Sequence, residues 1–187
     1  AKKEISSRYE KRGDSSFRVS VVDDYALRIE LPVSDTAAGT AFTYFSYTGE
    51  FTLYDGTTTV LEASKDESPK DYIKGFSPKK NGDSTYIQVK LTDEGRKLIK
   101  DVTTSLAASS SEDDGSSSGG TLSFKVGDES IIQLSVTEAI DEKTLYIGGT
   151  DTYTDETASV VAILLNSALN AGDLGLGFEV EETRTFG

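Results

Sequence analysis

The stretch "TDETASVVAILLNSALNAG" constrains the fold of this chain most. Thr154 is placed to cap a helix, Asp155 and Glu156 sit in its first turn, and Gly172 ends it. Val160, Val161, Ile163, Leu164 and Leu165 make its apolar face so wide that a helix over Asp155–Ala171 has to pack deep against other elements. The run "VVAILL" inside it, the longest apolar run in the chain, is far too short to span a bilayer. A second helix is written in "TDEGRKLIKDVTTSLAA". Thr92 caps it, Asp93 and Glu94 stand at its positive end, and Leu98, Ile99, Val102 and Leu106 form its stripe.

The clearest strand signal is "SFRVSVVDDYALRIELP". Phe17, Val19 and Val21 alternate, as do Tyr25, Leu27, Ile29 and Leu31, across a turn at Asp23 and Asp24, which predicts a hairpin with one buried face. Before it, "KEISSRYEKRG" reads as a helix carrying Ile5, Tyr9 and Arg12 and closed by Gly13. After it, Ser34 or Asp35 can cap a short helix with Ala38, Ala41, Phe42 and Phe45 on one face, ended by Gly49. "EFTLYDGTTTVLEA" predicts strand, turn at Asp55 and Gly56, and strand. "SKDESPKDYIKGFSPKKNGDS" holds two of the three prolines and reads as a loop or small exposed subdomain, followed by the strand "TYIQVKL". Residues 109–120, "SSSEDDGSSSGG", are of low complexity and expected to be mobile. Short strands and turns return in residues 121–149, and a closing strand is expected over 177–182. Helices and strands alternate without a regular βαβ rhythm, so the class is α+β.

Composition narrows the chemistry. The 187 residues contain no His, Cys, Met or Trp, so thiolate or imidazole metal sites and Ser–His or Cys–His catalysis are excluded. A net charge of −13 disfavours nucleic acid. Acidic pairs occur at Asp23 and Asp24, within 112–114, at Asp141 and Glu142, and at Glu181 and Glu182. Two held carboxylates could run glycoside hydrolysis, but turns and charged faces are the simpler home for these. "SEDDGSSS" lacks the ligand spacing of a calcium loop. "GDLGLG", at 172–177, follows a helix and precedes a strand, the wrong order for a dinucleotide fingerprint. The aromatics Phe42, Tyr44, Phe45, Tyr47, Phe51 and Tyr54 read as core packing. No catalytic residue, cofactor or metal ligand is predicted.

Taken in order, five segments resemble one family, the first large extracytoplasmic domain of SecD, a component of the bacterial protein-export machinery. "SRYEKRGDSSFRVSVVDDYALRIELPVSD" is similar to its helix with an R-x-x-x-x-G ending and the hairpin after it. "YTGEFTLYDGTTTVLEA" is similar to its glycine, strand and turn. "STYIQVKLTDEGRKLIKDVTTSL" resembles its strand and T-x-E-G-x-K helix, the most specific of the five. "LYIGGTDTYTDETASVVAILLNSALNAGDL" resembles its Gly-Gly turn and capped helix, and "VEETRTFG" its V-E-E-R-T-V-G approach to a transmembrane helix. Thr183 is an insertion in that last motif, Asp173 and Gly175 replace a small residue and a proline, a D-L-x-G-G strand is missing at the start, and residues 109–120 replace a short connection.

The resemblance implies a ferredoxin-like base subdomain formed by residues 1–55 and 151–187, with 56–150 inserted as a head. It implies two ends near a membrane, the chain stopping at Gly187 where a bilayer segment would begin. The base would lack its first strand and so expose an edge able to pair with another chain. It also implies a non-enzymatic role on the extracytoplasmic face of the cell membrane. The domain would engage unfolded preprotein by edge hydrogen bonding and assist its release, in partnership with SecF and the SecYEG translocon. Asp55, Gly56, Gly148 and Gly149, with Thr150, are candidate hinges between base and head; no residue is assigned to client contact. The charge of −13 suits basic clients or solubility alike. The rival reading is a secreted or cell-surface binding module for cell wall or carbohydrate, which predicts a groove lined by exposed aromatics. A buried carboxylate pair in a concave pocket would instead argue for an enzyme.

Overall fold

Why the predicted helices and strands form, and how they meet, is seen in a computed structural model, which describes residues 2–14, 16–23, 26–31, 38–62, 68–109, 120–149 and 152–171. Helix α1 (Lys2–Arg12) ends in a Schellman motif: Gly13 N–H donates to Glu10 O, Asp14 N–H donates to Tyr9 O, and Gly13 takes φ +92°. Strands β1 (Arg18–Val21) and β2 (Leu27–Glu30) pair antiparallel with Val19 opposite Ile29, as the alternation predicts. Val19 is buried, but Val21 is 59% exposed because the hairpin runs past the core there, which corrects its expected place on the buried face.

Helix α2 (Ala38–Ser46) buries Ala41 and Phe45. The caps expected at Ser34 or Asp35 lie outside the described residues. Next come β3 (Phe51–Tyr54) and β4 (Thr59–Glu62), then a one-turn helix α3 (Pro69–Tyr72) and a nine-residue strand β5 (Ile73–Asn81). The last two replace the expected loop. Pro69 starts the turn where a missing N–H is harmless, and Pro78 is tolerated because β5 is an edge strand. Strand β6 (Ser84–Leu91), helix α4 (Asp93–Ser109), strands β7 (Gly120–Val126), β8 (Glu129–Val136) and β9 (Thr144–Gly149), and helix α5 (Asp155–Ala171) complete the order. The "SEDDGSSS" stretch, the "GDLGLG" connector and the closing strand over 177–182 lie outside the described residues.

The strands among the described residues form three antiparallel sheets: β1–β2, β4–β3–β7–β8 and β5–β6–β9. The main core joins the two larger sheets with α5, through residues such as Phe51, Phe76, Phe124, Ile87, Leu164 and Leu165. A smaller core gathers Ile5 and Tyr9 of α1, Val19 of β1 and Ala41 and Phe45 of α2 around Val160 of α5. The wide apolar face of α5 therefore serves both cores, which is why it could not be a simple amphipathic stripe. The architecture is α+β.

Candidate functional site

Two features could carry function: the junction that binds the N-terminal helices to α5, and the open edges of the larger sheets. The junction is organised by Arg8, fully buried on α1. Its Nη1 donates to Phe45 O at 2.9 Å and to Tyr47 O at 2.6 Å, and its Nε donates to Ser167 Oγ at 3.2 Å. The Ser167 hydroxyl also meets the Glu4 carboxylate. A guanidinium thus sits on the last carbonyls of α2, where the helix dipole is negative, and reaches across to α5. Burial pulls the pKa of Arg8 down while Glu4 opposes that shift, and an arginine remains charged regardless. Arg8 and Gly13 are the R and G of the R-x-x-x-x-G pattern: one ties three helices together, the other ends the helix that presents it. Residue spacing alone would have placed Arg8 in solvent; the pattern was the only signal for it.

A sheet edge can capture an extended chain only where its backbone groups are free. Strand β5 is not such an edge. Asn166 of α5 receives a hydrogen bond from Phe76 N–H at 2.9 Å and donates one to Phe76 O at 2.7 Å, so a side chain takes the place of a neighbouring strand. Pro78 adds a missing donor and Lys79 and Lys80 add charge, both of which discourage pairing. Strand β4 has four residues and offers a short template. Strand β9 has six residues and ends in Gly148 and Gly149 at φ +112° and +147°, which leaves a shorter run of ordinary extended backbone on its outer side. Strand β8 is different: it has eight residues, it closes its sheet, and among the described residues no strand pairs with its outer side. Asn166 and the accessible length of β8 escape sequence reasoning because both depend on contacts made far along the chain.

The other candidate residues are placed as follows. Asp55 and Gly56 form the β3–β4 turn, in which the Asp55 carboxylate accepts from the N–H groups of Thr57 and Thr58 at 2.9 and 2.6 Å. Partial burial raises its pKa, but these hydrogen bonds outweigh burial and leave it lowered. Gly148 and Gly149 lie within β9, paired with Tyr86 and Thr85. A Cβ on Gly148 would stand 2.7 Å from the Tyr153 ring, so close packing accounts for glycine there. Because β3 pairs with both β4 and β7, the boundary expected between residues 55 and 56 falls at a turn inside one sheet.

Of the acidic pairs, Asp24, residues 112–114 and residues 181–182 lie outside the described residues, and Asp141 is engaged as a surface charge. Asp141 accepts from Arg96 and Lys100 at 2.7 and 2.8 Å, and both hold its pKa below the ordinary value. Asp155 is lowered in the same way by Lys80 and Thr85. Among the described residues no group of three or more Asp, Glu, His or Cys is placed to hold a metal. A shallow depression of about 310 Å³ lies between the β3–β4 turn and α4, lined by residues including Asp55, Asp101 and Leu106. Of the described aromatics only Tyr146 is exposed, at 52%. Phe45 and Phe51 are fully buried and Tyr44 and Tyr47 pack on the main core, as expected of that cluster, while Tyr54 lies beneath the Lys125 ammonium at 5.5 Å. Among the described residues no helix is long and apolar enough to cross a membrane.

These features define an α+β domain with one long open strand edge among the described residues. Its fold is similar to that of part of SecDF. A structure of SecDF, described as a membrane component that enhances protein export, matches with a TM-score of 0.53 over 98% of this chain and 90% of that one, at 17% identity. SecDF in its super-membrane-facing form matches with a TM-score of 0.55 over 97% of this chain, at 16% identity, and the matched region is 27% of that longer chain. No family model matches the sequence, and no curated protein matches it.

Proposed function

We propose that this chain is an extracytoplasmic domain of a SecD-like export component that engages translocating preprotein and assists its release from the Sec translocon. The observation that carries the reading is the fold likeness to SecDF along nearly the whole chain. The open edge of β8 supplies a means of engagement. An unfolded chain presents unpaired backbone groups; pairing them with β8 is sequence-tolerant, and it stays weak because few side chains are gripped. Weak binding suits a client that must also leave. In this reading residues 1–55 and 151–187 act as base and 56–150 as head, with Asp55, Gly56, Gly148 and Gly149 at the crossings. SecF and SecYEG would be reached through a membrane part outside this chain.

Photocrosslinking tests the reading. A crosslinker at Ser130, Gln133 or Ser135 of β8, all exposed, should capture a preprotein stalled during export, whereas one at Lys11 of α1 should not. Capture from neither place would contradict the export reading. Capture from Lys11 alone would leave export standing and reject β8 as the edge.

A further inference from the structure

The solvent face of the β5–β6–β9 sheet has a character unlike the rest of the molecule. The register sets three rows across it: Lys79, Tyr86 and Gly148; Ser77, Gln88 and Tyr146; Gly75, Lys90 and Thr144. The alternate residues Thr85, Ile87, Val89, Leu145 and Ile147 are buried beneath. In a chain of net charge −13, these rows carry two lysines and no Asp or Glu. Lys79 and Lys90 are exposed and hold no ion pair among the described residues, unlike Lys80, Lys100 and Lys143.

The middle row is a directed hydrogen-bond chain across all three strands. Ser77 Oγ–H donates to Gln88 Oε1 at 3.2 Å, and Gln88 Nε2–H donates to the Tyr146 hydroxyl at 3.0 Å. The Tyr146 oxygen is therefore an acceptor within the row, and its own proton is left for an outside acceptor, its donor strength raised by the chain behind it. Tyr86 meets Tyr146 edge to face, with ring centroids 6.4 Å apart, and fixes its orientation. The face thus offers an oriented O–H donor and two ammonium groups without an ion pair among the described residues, and its three rows carry no carboxylate.

We propose that this face docks an extended acidic segment of a polypeptide partner, the carboxylates on its sheet-facing side meeting Lys79, Lys90 and the Tyr146 hydroxyl. The favoured occupant is a peptide because successive rows repeat at the two-residue advance of an extended chain, about 6.6–6.8 Å. A segment laid along β6 therefore brings every second side chain over a row. The proposal does not rest on the export reading: this face and the β8 edge belong to different sheets, and either can fail alone.

The probe is a nine-residue peptide alternating Glu with Val and Tyr, titrated into the isotopically labelled chain while amide shifts are followed by NMR. Shifts should move at Tyr86, Gln88 and Tyr146 and not along β8. The double substitution Lys79→Glu with Lys90→Glu, at exposed sites that leave the fold intact by circular dichroism, should weaken binding about tenfold. Replacing Glu with Lys in the peptide should do the same. Tyr146→Phe, which removes only the hydroxyl, should weaken it about threefold. No shift at these residues, equal binding of the Lys peptide, or an unchanged affinity in Tyr146→Phe would overturn the proposal. So would binding of polyphosphate or hyaluronate where the Glu peptide does not bind, which would point to an anionic polymer instead.

Discussion

The guanidinium of Arg8 lies 2.6 Å from the carbonyl of Tyr47, at the C-terminal end of a helix 39 positions further along the chain. The same side chain also reaches Ser167 on α5, so this one residue links α1 to both α2 and α5. Truncating it would bury unsatisfied carbonyls at Phe45 and Tyr47 and remove the charge that offsets the α2 dipole. Each such buried group costs about 1–3 kcal/mol.

Arg8→Met is therefore expected to destabilise the protein by about 3 kcal/mol, read as a fall in the urea midpoint with unchanged slope. Arg8→Lys should recover only part of this, since an ammonium on a single stem cannot span both carbonyls and the serine.

Gly95 stands in the first turn of α4, where alanine would ordinarily gain about 1 kcal/mol in helix propensity. A Cβ there would lie 2.0 Å from the carbonyl oxygen of Tyr72, a backbone atom that cannot swing aside. The clash wins. Gly95→Ala should lose more than about 2 kcal/mol by thermal or urea unfolding. Thr92→Ala should lose about 1–2 kcal/mol, because Thr92 Oγ1 accepts from Gly95 N–H at 3.0 Å and donates to Asp71 O at 2.6 Å.

The pKa values of Asp93, Asp141 and Asp155 are all held below the ordinary 3.8 by neighbouring cations or hydroxyls. A carboxylate whose folded pKa is lowered contributes stability that is present above the unfolded pKa and lost as pH falls through the folded one. Stability should thus decline below about pH 4. Asp141→Asn should flatten that decline by lowering stability slightly at neutral pH and leaving it unchanged near pH 2, and added salt should shrink the difference, since the group is exposed. Melting temperatures measured from pH 2 to 7 at two salt concentrations check the sign.

Much of this fold is legible in the sequence because local signals agree with it. The bounds of α5, the caps Thr92 and Thr154, the β1–β2 hairpin and β6 all follow from alternation, apolar spacing and turn residues. Thr154 Oγ1, for instance, accepts from Thr157 N–H at 3.0 Å, where the cap was expected. Strand β5 is illegible for an equally specific reason: its proline and lysines signal a loop, and only its position as an edge, closed by Asn166 from 90 residues away, makes it a strand. Arg8 and Ser167 are hidden likewise, as polar residues on helix faces whose partners lie far along the chain. The candidate edge on β8 depends on sheet order, which no spacing encodes.

Blunting that edge separates binding from folding. Ser130→Lys with Ser135→Lys places charge on exposed β8 positions and should change stability by no more than about 0.5 kcal/mol. It should nonetheless weaken capture of unfolded chains, as charge on an edge strand opposes pairing. Equal capture by the variant in a pull-down with an unfolded polypeptide would argue against β8.

The most direct measurement is an NMR titration of the labelled chain with reduced, carboxymethylated α-lactalbumin, a permanently unfolded polypeptide, beside its folded native form. The account predicts shifts along β8 and its neighbour β7, saturating weakly and seen only with the unfolded form. Absence of shifts on β8, or the same shifts with the folded protein, would contradict it.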